Sequence, residues 1–133
     1  MSDSPRKRPE GQDPRRIVVV GPCAAGKTTL VDALVDLGYS AYAVAQEHSI
    51  IRDLWARRNP DVVIALDLDL AVVRERRSPT WSGDIYARQH ERLQPAFEAA
   101  DLFINTGEHD IESALGMTLE HLGSTRDRED EPS

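Results

Sequence analysis

A segment with two glycines, a lysine and two threonines offers the clearest chemistry in the sequence. Residues 21–30 read GPCAAGKTTL and follow directly on the apolar run IVVV. The spacing Gly21-x-x-x-x-Gly26-Lys27-Thr28 matches the Walker A pattern. In that pattern the glycines let the backbone turn and approach an anion, which consecutive amides at a helix N-terminus then surround. The segment therefore predicts a loop that binds phosphate groups.

The residues of this loop have predicted roles in binding Mg²⁺ and a nucleoside triphosphate, with ATP favoured. Lys27 is expected to reach the β- and γ-phosphates and to act in catalysis, Thr28 to hold Mg²⁺, and Thr29 to lie beside the α-phosphate. The alternative is a glycine-rich turn with an incidental lysine. It is weaker because the sequence also predicts the strand before the loop and the helix after it. The predicted nucleotide-binding residues of the loop are Gly21, Ala24, Ala25, Gly26, Lys27, Thr28 and Thr29.

Two acidic residues are candidates for the second acid that such a loop needs to fix Mg²⁺ or to activate an acceptor. Glu47 lies in QEHS, after a predicted strand, and Asp67 ends VVIALD, a run with the form of a Walker B strand. Both should emerge at the carboxyl edge of a parallel sheet, where ligands bind. We favour Glu47 as the catalytic acid and leave Glu47 and Asp67 open as Mg²⁺ ligands. Structural roles at helix N-termini are the alternative for both.

Arginines flank a short loop, residues 78–83, that is placed to act as a lid over a bound nucleotide. Arg76 and Arg77 precede this loop, and Arg88 and Arg92 follow it, four residues apart. Cations on both sides of such a loop would neutralise the charge that develops during phosphoryl transfer. Arg88 and Arg92 are therefore candidate catalytic residues. The equally weighted alternative is that they are ordinary arginines of solvent-exposed helices.

The histidines and the cysteine carry weaker signals. The four histidines lack metal-ligand spacing, and His48, beside Glu47, is the one placed for chemistry; the other three are predicted to lie at the surface. Cys23 is the single cysteine, so no intramolecular disulfide is possible. We interpret it as a small residue at a permissive position of the loop.

The chemistry-bearing residues must be positioned by alternating strands and helices. Short apolar runs predict strands at residues 17–20, 39–45, 62–68 and 102–106. Apolar residues at helical spacing predict helices at residues 28–37, 49–58, 70–77, 84–100 and 110–122, with Pro95 expected to kink or restart the fourth. This alternation predicts a three-layer αβα sandwich around a short, mostly parallel sheet of about four strands.

Composition limits the domain organisation and the partners. Residues 1–14 are rich in charge and proline and residues 123–133 are rich in charge, so we predict disordered tails on either side of one domain, residues 15–122. The net charge of −7 disfavours nucleic-acid binding. No apolar run approaches the roughly 18 residues that a membrane span requires. A cytoplasmic protein without a membrane or nucleic-acid partner is therefore predicted.

Several stretches together resemble the small P-loop kinases of the nucleoside monophosphate and shikimate kinase group. The likeness is carried by IVVVGPCAAGKTTLVDAL, DVVIALDLDLAVVRERR, IYARQHERL and ADLFINT, and it covers most of residues 16–122. The stretches AQEHS, RDLW, PDVVIALDLD and ADLFINT are also similar to short bacterial P-loop proteins described only as ATP-binding. The resemblance implies a P-loop NTPase fold that binds ATP and Mg²⁺ and transfers phosphoryl groups.

The resemblance also implies roles for single residues. The loop lysine and the threonine after it match the family's phosphate and Mg²⁺ ligands. Arg76 or Arg77 matches the arginine that packs near the adenine, and we assign nucleotide binding to Arg77. Arg88 and Arg92 match the lid-helix arginines near phosphate. Residues 105–107 fall where the family lines its base pocket.

Two functions from different classes are compatible with these features. The favoured one is a phosphotransferase that moves the γ-phosphate of Mg·ATP to a small acceptor. The alternative is a nucleotide-binding sensor or regulatory module that acts on a protein partner. It gains support because about twenty residues separate Glu47 from Asp67, which is short for the family's acceptor-binding insert. A GTPase switch is disfavoured, because neither Asp-x-x-Gly nor Asn-Lys-x-Asp follows the loop.

Overall fold

The predicted apolar runs form the strands of one sheet. A computed structural model describes residues 15–22 and 24–130, with side chains as far as residue 123. This part of the chain contains four strands and four α-helices. The elements are β1 (Arg16–Val20), α1 (Lys27–Asp36), β2 (Ser40–Ala43), β3 (Val62–Asp67), α2 (Leu70–Arg76), α3 (Gly83–Ala99), β4 (Leu102–Asn105) and α4 (Ile111–Asp130). Two short 3₁₀ turns lie between β2 and β3, and two helices lie between β3 and β4.

The sheet is parallel throughout, with the strand order β2-β1-β3-β4. Ile17 of β1 aligns with Ala41 of β2 on one side and with Val62 of β3 on the other. The chain therefore leaves β1 toward β2 and then crosses back over β1 to form β3. Ligands of open α/β sheets bind outside the carboxyl ends of the strands, at such a reversal of strand order. Residues 21–28, which we call the glycine loop, begin at this point.

Helices pack on both faces of the sheet, because alternate residues of β1 point to opposite sides. Ile17 and Val19 pack with Leu30 and Leu34 of α1, and residues of α2 and α4 join the same cluster. Val18 and Val20 pack on the other face with residues of α3. The α/β arrangement of one parallel sheet between helices is compatible with the predicted αβα sandwich.

The prediction of a helix at residues 49–58 is wrong. Two short 3₁₀ turns replace it, at Gln46–His48 and Leu54–Ala56, and Ile50 is 82% exposed. In an α-helix the amide of Trp55 would donate to the carbonyl of Ile51. Here the side-chain amide of Gln46 takes both groups: it donates to the Ile51 oxygen (2.8 Å) and accepts from the Trp55 nitrogen (2.9 Å). A buried polar side chain therefore replaces the helical hydrogen bond.

Two further predictions need correction. α3 runs without a break from Gly83 to Ala99, so the helix does not restart at Pro95. Proline removes one hydrogen bond to the residue four positions earlier, and that residue, Glu91, is exposed, so water can satisfy its carbonyl. α4 was expected to end at Leu122 and extends to Asp130, within the segment predicted as a C-terminal tail. The predicted N-terminal tail, residues 1–14, lies outside the described residues.

None of the described helices combines the length and the apolar composition needed to span a lipid bilayer.

Candidate functional site

The glycine loop leaves β1 with no room for a side chain at its first residue. A Cβ atom on Gly21 would lie 2.5 Å from the carbonyl oxygen of Leu66 in the neighbouring strand, so glycine is required there. Ala24 (φ 72°) and Gly26 (φ 93°) both adopt left-handed backbone conformations. The amide of Ala25 donates to the Pro22 oxygen (3.2 Å). The loop is thus a tight, wound turn that ends directly at α1.

The start of α1 is left without a capping side chain. Gly26 is the N-cap residue and offers no side-chain hydrogen bond, and Leu30 makes the first bond to the Gly26 oxygen (3.0 Å). The first-turn amides of Lys27, Thr28 and Thr29 therefore have no intrahelical acceptor. Together with the positive end of the helix dipole, such amides favour an anion.

Lys27 turns back onto the loop that carries it. Its ammonium group donates to the carbonyl oxygens of Gly21 (2.7 Å) and Pro22 (3.3 Å) and to Oε2 of Glu47 (2.9 Å). These three contacts use all three N–H donors of the side chain. The lysine and the glutamate are separated by twenty positions in the chain, and the parallel pairing of β1 with β2 brings them together.

Glu47 is the buried acid of the site. It is 3% exposed, and its second oxygen, Oε1, has no hydrogen-bond partner among the described residues. His48 is mostly exposed, and its Nε2 lies 3.6 Å from Oε2 of Glu47. A buried carboxylate oxygen without a partner is costly, so it usually marks a place where a ligand, water or ion completes the bonding. Glu47 therefore has the capacity to accept a further contact.

Gln46 holds the segment around Glu47 in place. Its fully buried side chain donates to the carbonyl of Ile51 and, at 3.2 Å, to that of Arg92 in α3. It thereby ties the turn that follows β2 to α3. Sequence reasoning missed this role, because a glutamine between a strand and a turn gives no local sign that it is buried.

Asp67, the alternative acid, is already engaged. Its Oδ1 accepts the amide of Leu68 (2.8 Å) and lies 2.6 Å from Nε2 of His90, on α3. The other ring nitrogen of His90 lies 3.0 Å from the Tyr86 carbonyl. The hydrogen bond to Asp67 raises the pKa of His90 above its ordinary value, although burial opposes the shift. The surface position predicted for His90 is wrong, since this histidine links β3 to α3.

Tyr86 extends this contact. Its hydroxyl donates to the carbonyl of Leu68 (2.9 Å), and its ring lies 4.2 Å from that of His90, centroid to centroid. Burial, and then the negative charges of Asp67 and Asp69, raise the pKa of Tyr86, so the hydroxyl stays protonated as a donor. The surroundings of Asp67 are therefore those of a structural junction.

Of the two arginines before the lid segment, the structure brings Arg76 to the glycine loop. Its guanidinium donates to the carbonyl of Ala24 (2.8 Å) and to that of Thr106 (2.7 Å), which follows β4. Arg77, the predicted nucleotide-binding residue, is exposed and makes no side-chain hydrogen bond or ion pair with the residues described. Arg76 therefore fixes the loop at Ala24, where the backbone is left-handed.

Arg88 and Arg92 lie on the part of α3 that faces the turn after β2. They line a cleft of about 330 Å³ together with Ser49, Ile50, Arg52 and Glu91. Among the described side chains, no hydrogen bond or ion pair joins either arginine to the glycine loop. Arg52, which sequence reasoning did not single out, shares the cleft with them.

The structure thus brings Lys27 and Glu47 together beside the uncapped start of α1, and it places Asp67 in a separate contact with α3. Cys23 lies outside the described residues. Within them, no three His, Cys, Asp or Glu side chains are grouped so that they could hold a metal ion by themselves.

Comparison with protein-family models finds no match for this chain. Comparison with curated proteins finds no significant match either.

Proposed function

We propose that the chain has a P-loop NTPase fold, binds Mg·ATP at the glycine loop, and transfers the γ-phosphoryl group to a small acceptor. The observation that carries this proposal is the Lys27–Glu47 contact. The ammonium of Lys27 is held at 2.9 Å from a buried carboxylate whose other oxygen is bare. A buried carboxylate that contacts the lysine through one oxygen can still accept a contact through the other, which suits a group that acts on a bound substrate.

Nucleotide binding uses the amides at the start of α1 and the charge of Lys27. Phosphate oxygens accept the N–H groups of Lys27, Thr28 and Thr29, in place of the missing capping side chain. The ammonium of Lys27 exchanges its loop carbonyls and Glu47 for phosphate oxygens, which carry more charge. This exchange releases the carboxylate of Glu47 from its cation at the moment when substrate is bound.

Glu47 then acts on the acceptor. In the transfer step, an acceptor hydroxyl oxygen forms a bond to the γ-phosphorus, while the bond from that phosphorus to the β–γ bridging oxygen breaks. ADP leaves with the electron pair of the broken bond, and the acceptor's proton passes to the carboxylate of Glu47. Burial of this carboxylate keeps bulk water away from it, so that the acceptor is the group positioned for transfer.

The residues of the site fit a Mg²⁺ ion carried by the nucleotide. Thr28 presents an exposed hydroxyl at the first turn of α1, and the Oε1 of Glu47 adds an unpartnered anionic oxygen. Mg²⁺ usually keeps several waters and takes one or two protein oxygens together with phosphates, so a cluster of three acidic or histidine ligands is not required. When bound, the ion offsets the charge that develops on the β- and γ-phosphates.

The remaining assignments follow from this chemistry. A cytoplasmic location, where ATP and Mg²⁺ are both present, is part of the proposal. The turn at residues 105–107 is the proposed base-binding region, and Arg76 joins it to the glycine loop through the carbonyl oxygens of Thr106 and Ala24.

The test is release of ADP from Mg·ATP, measured with and without a mixed pool of small metabolites. Release that depends on the pool is expected, and fractionation of the pool would then identify the acceptor. The variant Lys27→Met serves as the blank, and Arg57→Gln serves as the control for loss of a cation away from the site.

If ADP is not released above the Lys27→Met blank under either condition, phosphoryl transfer is ruled out. If the wild-type chain still binds ATP in that case, the glycine loop serves a nucleotide-binding sensor. The search would then turn to a protein partner.

A further inference from the structure

The cleft that Arg52, Arg88 and Arg92 line has two walls, and the buried side chain of Gln46 connects them. One wall is the turn at residues 49–52, and the other is the first half of α3. Gln46 donates to a carbonyl on each side, at Ile51 and at Arg92, and is fully buried. The spacing between the walls is therefore set by hydrogen bonds. The volume of about 330 Å³ lies within the range of small-molecule sites.

The charge in the cleft is opposite to that of the chain. Arg52, Arg88 and Arg92 line it with one acid, Glu91, whereas the whole chain carries a net charge of −7. None of the three guanidinium groups has a hydrogen bond or ion pair with another described side chain. Like charges gathered around one cavity repel each other, and a bound anion relieves that repulsion. Guanidinium groups are suited to phosphate and carboxylate, because their planar N–H donors match two oxygens at once.

An apolar residue lies beside these cations. Ile50 lines the cleft and is 82% exposed. Among the large hydrophobic side chains that the structure describes, none is more exposed. Ile50 therefore offers an apolar contact to a ligand whose anionic group meets the arginines. The same turn begins at Ser49, two positions after Glu47 in the chain.

We propose that this cleft binds the acceptor, and that the acceptor is a small molecule with an apolar body and an oxyanion, either phosphate or carboxylate. The acceptor role rests on the proposed phosphotransferase function; the binding of the oxyanion does not. Arg52, Arg88 and Arg92 bind the oxyanion, and Ile50 contacts the apolar body.

The test is an NMR titration of the wild-type chain with phenyl phosphate and, separately, with benzoate. The side-chain Nε–H signals of Arg52, Arg88 and Arg92 report on the cleft, and the amide signals of Thr28 and Thr29 report on the glycine loop. We expect saturable shifts of the arginine signals with at least one probe. The probe that binds more tightly distinguishes phosphate from carboxylate recognition.

Arginine variants distinguish specific binding in the cleft from non-specific attraction of an anion to exposed arginines. We expect Arg52→Gln and Arg88→Gln each to weaken binding at the cleft at least fivefold. The matched control is Arg57→Gln, an exposed arginine of the same segment that pairs with Asp53 outside the cleft, and it should leave binding unchanged. Because all three positions are exposed, the substitutions should leave the fold intact, which the amide spectrum verifies.

The proposal is overturned if neither probe shifts the arginine signals in a saturable way, or if Arg57→Gln weakens binding as much as Arg52→Gln. Mg·ATP binding by the wild-type chain is measured in parallel. Cleft binding without ATP binding would remove the acceptor role and retain the oxyanion site. ATP binding without cleft binding would remove the oxyanion site and leave the nucleotide proposal standing.

Discussion

Two carboxylates lie at the carboxyl ends of the strands on either side of β1, and their surroundings differ. Glu47, after β2, is 3% exposed, meets the flexible side chain of Lys27, and keeps one oxygen without a partner. Asp67, at the end of β3, is bonded through Oδ1 to a backbone amide and to His90 on α3. The first pair can exchange partners when a ligand enters, whereas the second holds a helix against the sheet. Position at a sheet edge identifies both acids as candidates, and the two differ in burial and in the partner of the bonded oxygen, which is a lysine for Glu47 and a histidine for Asp67.

The largest expected effect is on the rate of turnover, which should fall much further when Glu47 is changed than when Asp67 is changed. Glu47→Gln keeps the shape of the side chain and removes the proposed base, so the rate of ADP formation with acceptor should fall by roughly 100-fold to 10,000-fold. Asp67→Asn should lower that rate by less than about tenfold, because Asp67 acts on the position of α3. Steady-state kinetics of both variants at saturating Mg·ATP provide the measurement.

A matched control for the first variant is Glu75→Gln, the same chemical change at an exposed position of α2. It should turn over at the wild-type rate. Equal losses in Glu47→Gln and Asp67→Asn would show that the two acids do not differ in role. A larger loss in Asp67→Asn would reverse their assignment.

The second expected effect concerns stability. His90→Leu removes the hydrogen bond from α3 to Asp67 and should lower the free energy of unfolding by about 1–3 kcal/mol. The affinity for Mg·ATP should stay within about twofold, because the described hydrogen bonds of His90 go to Asp67 and Tyr86 and none goes to the glycine loop. Chemical denaturation and nucleotide titration of the same sample test both parts, and His109→Leu is a control for the loss of a histidine elsewhere. A large loss of ATP affinity with little loss of stability would contradict the structural role.

A smaller effect is expected in the dependence of stability on pH. The pKa of His90 is raised in the folded chain, chiefly by its hydrogen bond to Asp67, so folding favours the protonated ring. Its contribution to stability is therefore complete below the unfolded pKa of about 6.5 and is lost as the pH rises through the folded pKa. Denaturation curves across this range should show the decline in wild type and not in His90→Leu. A wild-type stability that rises over the same range through this histidine would contradict the sign of the shift.

Local patterns predict most of the fold and part of the site. The apolar runs of β1 and β3 and the helix after the glycine loop are visible because each signal lies within about ten consecutive residues. Glu47 is predictable as a candidate from its place after β2. Its bare oxygen and its contact with Lys27 are not, because they depend on the strand order and on burial.

The failures have the same origin. The helix predicted at residues 49–58 does not form because Gln46 takes the backbone groups of Ile51 and Trp55, and periodicity carries no information about that side chain. His90 was assigned to the surface because Asp67, its partner, lies 23 positions earlier in the chain. Local patterns do not predict the cleft, because its arginines come from two segments that only the folded chain brings together.

The most direct test of the central claim is calorimetric titration of the chain with Mg·ATP, comparing wild type with Lys27→Met/Glu47→Gln. The double variant removes both charges, so no buried carboxylate is left without its cation. We expect saturable binding by wild type, at least tenfold weaker binding by the double variant, and wild-type affinity in Arg57→Gln. Equal affinity in wild type and the double variant, or no binding by wild type, would contradict nucleotide binding at the glycine loop.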